Sequence, residues 1–435
     1  MSDVAIGLTG LGVLFVLIAA RMQIGVALIA VSFVGLWMLK SWNVAWGSIG
    51  VIPYQFAANW VLSSIPMFLF LGFISFHTNL TSGLFRAARA WMSVLPGGLA
   101  IAAIFGSAGF AAVSGSSLAC SAAMGRIAVP EMMKHKYHPE LATGTVAVAG
   151  TIGAMIPPSI ILILYGVIAQ VSVAQLFLGG ISAGILTALG YVAVVLIRVK
   201  LNPDLAPLRD EPVPMAEKIR ALKDTWPILL VMIGIFGGLF SGIFTPTEAG
   251  AIGAFLACIV ATLRGEMTLE RFMQAARETM TTTASLIIIA VGASLLTRFL
   301  VLSGAGDYMS EAIIALGANP VILLAGIILV YLVLGMFLEP IGSMLLTLPI
   351  ILPVVGEAGW SLLWFGVVLT KLLEIGMITP PIGMNVFVIK GVVGDLVTTS
   401  AIFRGVLWFI LMDLMVLILL SAVPQLILYL PTHFG

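Results

Sequence analysis

The sequence predicts an all-helical protein that crosses a membrane many times and consists of two inverted repeats. Hydrophobic residues make up 61% of the 435 positions and charged residues only 9%, whereas soluble chains carry about 25% charged residues. Unbroken apolar runs are long enough to span a bilayer as helices, and they exclude a membrane β-barrel, which needs alternating polar residues. Chain-breaking residues also recur at one offset in both halves. Together these observations exclude a cytosolic enzyme, a nucleic-acid-binding protein and a disordered chain.

Ten apolar stretches are predicted to cross the membrane. Five lie in the first half, at residues 5–20, 24–39, 61–76, 141–169 and 174–197, and five in the second, at 226–244, 249–263, 286–302, 362–392 and 406–428. The first stretch lacks the positive residues that precede a signal peptide's apolar core, so we expect a retained helix. Two amphipathic stretches, 40–60 and 269–280, precede the third span of each half and are predicted to be helices that lie in the interface, the alternative being ordinary loops.

Two further apolar stretches are interrupted near their middle. Residues 97–133 contain Ser114-Gly115-Ser116-Ser117, and residues 321–355 contain Glu339-Pro340. The arms on either side are short for a full crossing. Each stretch is therefore predicted to be a re-entrant hairpin whose tip lies inside the bilayer, where protein or water must surround the backbone.

The charge-rich linker sets the predicted orientation. Residues 198–224 hold six Lys or Arg, and the positive-inside rule places them in the cytoplasm. Counting spans from this linker puts the first hairpin's entry on the cytoplasmic side and the second hairpin's entry on the external side. Both termini then lie outside. The predicted organisation is a first repeat (1–200), a cytoplasmic linker (201–224) and a second repeat (225–435).

An offset of 223 residues relates the two halves. It places Pro353 on Pro130, Gly376 on Gly153, and the pair Pro380-Pro381 on Pro157-Pro158. It also places Glu339 of the second tip on Ser116 of the first. Each repeat holds an odd number of spans, so the second is inverted relative to the first. Inverted repeats with broken helices near the midplane are typical of secondary transporters.

The tips and the Pro-Pro pairs carry the candidate binding residues. Proline removes a backbone donor and clashes with the preceding turn, so each pair should unwind a helix and free carbonyl oxygens that suit Na⁺. The alternative is that these residues merely kink helices. The candidate cation ligands are Ser114, Gly115, Ser116, Ser117, Gly153, Pro157, Glu339, Gly342, Ser343, Gly376, Thr379, Pro380 and Asn385.

The second arm of each hairpin begins at its tip, so the positive ends of two helices should converge near the midplane. Such ends attract a carboxylate. Candidate substrate contacts are Ser116, Ser117, Pro158 and Pro381. The sequence has no P-loop motif, which favours an ion gradient over ATP as the energy source. No enzymatic activity and no cofactor are expected.

The charged residues at membrane depth are candidates for function. Glu339 ranks first because it lies at a tip. Lys371 and Glu374 are three residues apart on one helix, a spacing that favours a mutual ion pair. Arg298 is expected to extend to the membrane surface, and Asp413 to face the interface.

At these residues the sequence resembles the large membrane subunit of tripartite ATP-independent periplasmic (TRAP) transporters. The matching stretches are SGSSLACSAAMGRIAVPEM (114–132), GTIGAMIPPSI (150–160), FTPTEAGAIGA (244–254), FLEPIGSMLLTLPIILP (337–353) and GMITPPIGMNVFV (376–388). One departure is Glu339, where Asp is more usual in the family.

The resemblance implies a sodium-coupled importer of organic acids, such as C4-dicarboxylates or sialic acid, in a bacterial inner membrane, with an elevator mechanism. It also implies two partners, a small membrane subunit (Q) and a soluble periplasmic binding protein (P). The length of the chain leads us to expect a separate Q polypeptide. The alternative function is a stand-alone sodium/dicarboxylate symporter that needs no binding protein. A channel or a structural membrane scaffold is a more distant alternative.

Overall fold

The computed structural model describes residues 2–206, 213–315 and 319–434, and within these ranges the regular structure is helical. The first half contains α1 (Asp3–Ala19), α2 (Ile24–Leu39), α3 (Trp42–Ala57), α4 (Ser64–His77), α5 (Ser82–Met92), α6 (Gly98–Ser114), α7 (Ser117–Lys134), α8 (Pro139–Ala149), α9 (Ile152–Met155), α10 (Ile160–Ala169) and α11 (Val173–Leu201). In the linker lies α12 (Met215–Lys223). The second half contains α13 (Trp226–Phe240), α14 (Pro246–Leu263), α15 (Leu269–Ser303), α16 (Ala305–Ala315), α17 (Pro320–Phe337), α18 (Pro340–Glu357), α19 (Leu362–Gly376), α20 (Met384–Val393), α21 (Thr399–Ala422) and α22 (Gln425–Phe434).

Many of these helices are long and apolar enough to cross a membrane. In the described parts of the chain, eight helices meet this criterion, or nine if the bent pair α12–α13 counts as one span. Three shorter apolar helices, α1, α2 and α6, add to them. The predicted all-helical, polytopic fold is confirmed. Residues 207–212 of the predicted cytoplasmic linker lie outside the described residues.

The helix boundaries repeat at the offset found in the sequence. Adding 223 to the bounds of α7 gives 340 and 357, which are the bounds of α18. Adding it to the bounds of α5 gives 305 and 315, the bounds of α16. The repeat thus extends to α5 and α16. The apolar pattern predicted neither helix, because both are short helices of 11 residues beside a span.

The two amphipathic stretches differ in how they join the third span. Residues 269–280 are helical as predicted, but they form the start of α15, which runs unbroken for 35 residues into the third span. The first half differs since Pro53 and Pro66 flank a short 3₁₀ turn between α3 and α4. Alanine and isoleucine occupy the two matched positions in α15, so no missing backbone donor interrupts that helix.

Two further predicted spans end earlier than expected. The stretch 406–428 divides into α21 and α22 at Pro424. The stretch 226–244 stops as a helix at Phe240, before Gly242 with its positive φ of 74°. In both places a residue that cannot continue an ordinary helix explains the shorter element.

The two halves share their cores. One apolar cluster joins side chains of α6, α7, α8 and α11 to those of α20 and α21. Glycines allow close approaches between helices. Between the halves, a Cβ on Gly144 of α8 would lie 2.6 Å from the Gly405 backbone of α21, and within the second half one on Gly376 of α19 would lie 2.5 Å from Gly335 of α17. These crossings bring both broken helices and both hairpins into one region of the molecule.

Candidate functional site

The first hairpin tip is a tight turn of small residues. Helix α6 ends at Ser114, Gly115 takes a left-handed φ of 60°, and α7 begins at Ser117. The Ser116 hydroxyl accepts a hydrogen bond from the Ala119 amide at 3.4 Å and so caps α7. A Cβ on Gly115 would lie 2.4 Å from the Pro158 carbonyl oxygen. Only glycine fits here, so the first tip packs directly on the first Pro-Pro break.

The second tip uses a carboxylate for the same purpose. Glu339 links α17 to α18, and its Oε2 accepts a hydrogen bond from the Gly342 amide at 3.0 Å. A negative group at a helix N-terminus is stabilised by the exposed amides and the helix dipole. Ser116 and Glu339, paired by the repeat, are therefore equivalent N-caps.

Both predicted helix breaks are present. Helix α9 stops at Met155, Ile156 is extended, and α10 starts at Ile160. In the second half α19 stops at Gly376 and α20 starts at Met384. The Pro157-Pro158 and Pro380-Pro381 peptide bonds are both cis. The first break is largely buried, whereas Pro381 of the second is exposed.

A small cavity of about 60 Å³ joins the two tips. Residues of both halves line it: Gly115, Ser116, Ser117, Leu118, Ala154, Ile160, Ile161, Glu339, Pro340, Ile341, Glu374 and Met377. We call it the tip cavity. Its two acidic residues come from the second tip and from the last turn of α19. The two repeats therefore build one shared cavity at their tips.

Glu374 is the least compensated group in the tip cavity. It is 1% exposed, and its Oε1 accepts a hydrogen bond from the Ser117 hydroxyl at 3.2 Å. Its Oε2 is buried and has no hydrogen-bond partner among the described residues. A buried carboxylate oxygen without a partner is costly. This position therefore favours a bound cation or a proton.

Lys371 pairs with Asp413 rather than with Glu374. The Lys371 Nζ lies 2.5 Å from Asp413 Oδ1, and both side chains are 1% exposed. The Tyr191 hydroxyl donates to Asp413 Oδ2 at 2.8 Å and lies 2.9 Å from the Thr151 hydroxyl. The expected Lys371–Glu374 pair is thus replaced, because Asp413 faces the core and not the interface. Since Lys371 pairs with Asp413, Glu374 has no ion-pair partner among the described residues.

Four other predicted ligands with polar side chains, Ser114, Ser343, Thr379 and Asn385, do not line the tip cavity. The hydroxyls of Ser114 and Ser343 are buried without partners in the described structure. Thr379 donates to the Ile375 carbonyl at 2.6 Å, and Asn385 to the Ala147 carbonyl at 3.3 Å, leaving the Asn385 Oδ1 unpartnered.

The glycines and prolines among the predicted ligands shape the backbone. A Cβ on Gly153 would lie 3.1 Å from the Ser116 carbonyl oxygen, so the first break also touches the first tip. The Gly342 amide donates a hydrogen bond to Glu339 Oε2, and Gly376 packs on Gly335. Pro157 and Pro380 lie in the breaks, and neither lines the tip cavity.

Sequence reasoning considered Glu374 only as a partner of Lys371, and it did not name Tyr191 or Thr151. Two signals in the sequence point to Glu374 and Thr151. Glu374 is a charge at membrane depth, and the 223-residue offset places it on Thr151, beside the first break. Tyr191 carries no such signal, because its role depends on α11 packing beside α21.

The fold, with its two paired hairpins, is similar to that of a solved membrane transporter. The structure is similar to the YdaH transporter of Alcanivorax borkumensis, with a TM-score of 0.60, 15% sequence identity, and coverage of 88% of this chain and 87% of that one. At that identity the likeness shows the fold alone.

The chain belongs to the family described as tripartite ATP-independent periplasmic transporter, DctM component, whose model matches residues 11–426. It is 31% identical to the sialic acid TRAP transporter large permease protein SiaM of Vibrio cholerae, over 98% of this chain and 97% of that protein. It is 33% identical to the C4-dicarboxylate TRAP transporter large permease protein DctM of Pseudomonas aeruginosa, over 89% and 90%. The predicted family is confirmed, and the chain is a TRAP large permease, a multi-pass inner-membrane protein.

Proposed function

We propose that this chain is the permease of a sodium-coupled importer of organic carboxylates that works by an elevator mechanism. The observation that carries the proposal is the tip cavity, where both hairpin tips and two carboxylates meet. The names of the relatives, which refer to sialic acid and C4-dicarboxylates, support a carboxylate substrate.

The charge balance of the site supports a cation as the coupling ion. Lys371 and Asp413 cancel each other, which leaves Glu339 and Glu374 without a buried basic partner at the tip cavity. Carboxylate, hydroxyl and carbonyl oxygens suit a small hard cation. Na⁺ held by Ser116, Ser117, Glu339 and Glu374 would remove this excess negative charge.

The same balance gives a physical reason for coupling. A carboxylate substrate approaching two uncompensated carboxylates meets like-charge repulsion in a medium of low dielectric constant. Once cations occupy the cavity, the N-termini of α7 and α18 are free to attract the substrate's negative charge. Ser116 and Ser117 of the first tip, with Pro158 and Pro381 of the breaks, are the proposed substrate contacts. Substrate binding then depends on prior binding of sodium.

The packing supports movement of the hairpins as a unit. The first tip contacts Pro158 of the first break, and α17 crosses α19 at Gly335 and Gly376 without room for a methyl group. The 35-residue α15 provides a long scaffold helix beside them. In the proposed elevator, the hairpins and broken helices move together against this scaffold.

The partners follow from the family. A tripartite transporter has two further components. We propose a separate small Q subunit within the membrane and a periplasmic P protein that delivers the carboxylate. The Lys- and Arg-rich linker supports a cytoplasmic position for α12, with both termini in the periplasm.

Reconstitution tests the proposal. The chain and its cognate Q subunit are placed in liposomes, the cognate P protein is added outside, and uptake of labelled sialic acid or succinate is measured. We expect accumulation only with all three components and an inward sodium gradient. Uptake by the chain alone would favour the stand-alone symporter, and uptake unaffected by replacing sodium with choline would refute sodium coupling.

A further inference from the structure

A second cavity, of about 600 Å³, lies between α3, the end of α10 and the end of α15. We call it the vestibule. Its polar lining residues are Gln55, Asn59, Ser294, Thr297 and Arg298, and the remainder of its lining is apolar. It is about ten times the volume of the tip cavity and falls within the range typical of small-molecule sites.

The vestibule carries a positive charge and no acidic group in its lining. Arg298 is exposed, and it forms no ion pair with a described acidic residue, whereas Arg89, Arg264 and Arg404 each pair with a glutamate. Arg298 lies on α15 more than six turns from the helix start at Leu269. The expectation that it only extends to the membrane surface does not account for its place in a cavity.

The neighbouring polar groups complement an anion. Asn59 uses its Oδ1 to accept from the Val61 amide, which leaves its NH₂ group free to donate. The hydroxyls of Ser294 and Thr297 donate to carbonyls of their own helix. The donors that remain are the Arg298 guanidinium and the amides of Asn59 and Gln55. A guanidinium binds a carboxylate with two parallel hydrogen bonds.

The position of the vestibule suits entry of substrate. The vestibule residues lie near the ends of α10 and α15, on the side of the membrane from which α17 enters. The basic linker helix α12, which precedes α13, lies on the opposite side. With the linker in the cytoplasm, the vestibule faces outward. It also lies between α10, which follows the first break, and the scaffold helix α15.

We propose that the vestibule is an entry subsite for an organic carboxylate, held by Arg298 with Asn59 and Gln55 before it reaches the tips. This inference rests on the proposed function for the direction and the class of substrate. A lipid phosphate has related chemistry, and the experiment distinguishes the two sources. The readout is local labelling, which needs no transport and no sodium, so its failure is separate from a failure of sodium coupling.

The first arm measures the electrostatic potential in the vestibule. A cysteine replaces Val301, an exposed lining residue three positions after Arg298 on α15, in a chain whose Cys120 and Cys258 are alanine, and the purified protein is placed in phosphatidylcholine nanodiscs. Labelling rates with an anionic and a cationic methanethiosulfonate reagent are compared. A unit charge within about 6 Å changes each rate roughly threefold in a watery site, so the anionic-to-cationic ratio should fall roughly tenfold with Arg298→Gln.

Matched variants isolate the role of the guanidinium. Arg298→Lys keeps the charge and should keep the ratio within about twofold, which also shows that the site still folds. Arg277→Gln removes an exposed arginine about 30 Å away along the same helix and should leave the ratio unchanged. A cysteine at Gln274 reports on general effects and should not respond to Arg298→Gln. If Arg298→Gln leaves the anionic-to-cationic labelling ratio unchanged, the proposal is overturned.

The second arm tests the ligand. Succinate should slow labelling of the Val301→Cys protein in a saturable way, and Arg298→Gln should weaken this protection at least fivefold while Arg277→Gln does not. Phosphatidylglycerol replaces phosphatidylcholine in a parallel series. Protection by phosphatidylglycerol but not by succinate would identify the occupant as a lipid phosphate and overturn the proposal, as would the absence of protection by either.

Discussion

The buried Lys371–Asp413 pair allows a quantitative prediction. Both side chains are 1% exposed, and the Lys371 Nζ lies 2.5 Å from Asp413 Oδ1. The Tyr191 hydroxyl donates a hydrogen bond to Asp413 Oδ2. Asp413→Asn keeps the size of the side chain and an acceptor for the Tyr191 hydroxyl. It removes the negative charge and leaves the Lys371 ammonium buried without a counter-ion.

The expected loss is large because the environment is dry. Removing one partner of a buried ion pair typically costs about 3–5 kcal/mol, whereas replacing both partners can be nearly neutral. We therefore expect Asp413→Asn to reduce the free energy of unfolding by about 3 kcal/mol or more. The double variant Lys371→Met with Asp413→Asn should recover more than half of that loss. An exposed pair offers the control, because Asp395 lies 3.6 Å from Lys390 and is fully exposed, so Asp395→Asn should change little.

Unfolding in mixed micelles of detergent and sodium dodecyl sulfate, followed by far-UV circular dichroism, measures these differences. The reasoning is refuted if Asp413→Asn is no more destabilising than Asp395→Asn. Lys371→Met is measured alone to complete the cycle. The reasoning is also refuted if the loss of unfolding free energy in the double variant equals the sum of the losses in Lys371→Met and Asp413→Asn, since the two side chains would then not be coupled.

Two further predictions concern the first tip and the topology. Gly115→Ala should reduce stability by at least about 1–2 kcal/mol, because an alanine there has a left-handed φ and a Cβ 2.4 Å from the Pro158 carbonyl oxygen. Gly356→Ala, in α18 with open space around it, should be neutral or slightly stabilising in the same unfolding assay, and equal effects would contradict this account of the tip. Cysteines at Lys218 and Ala358 should react with an impermeant thiol reagent from opposite sides of the membrane, and reaction from one side would remove the inverted repeat.

The hairpins, the helix breaks and the repeat could be predicted from the sequence because local residues determine them. Gly115 permits the left-handed turn. The prolines at 157 and 380 lack a backbone donor whatever the packing around them. The cap role of Glu339 follows from the same local chemistry, since an N-cap interacts with amides only three residues away.

The pairings inside the core could not be predicted in this way. Asp413 is 42 residues from Lys371, and the pair forms only because α21 packs beside α19. The three-residue spacing of Lys371 and Glu374 favoured the wrong partner, because proximity along one helix says nothing about neighbouring helices. The vestibule is likewise a product of packing between α3, α10 and α15.

The most direct test of the central claim is the sodium dependence of uptake by the three-component system carrying Glu374→Gln or Glu339→Gln. Loss of a charged ligand from a buried site costs roughly 1–3 kcal/mol, so the sodium concentration for half-maximal uptake should rise about 5- to 140-fold at pH 6 and at pH 8. Glu270→Gln, an exposed change in the first turn of α15, should leave it unchanged. If both tip-cavity variants keep the original sodium dependence and lose only a dependence on pH, the carboxylates bind protons and the tip cavity is not the sodium site.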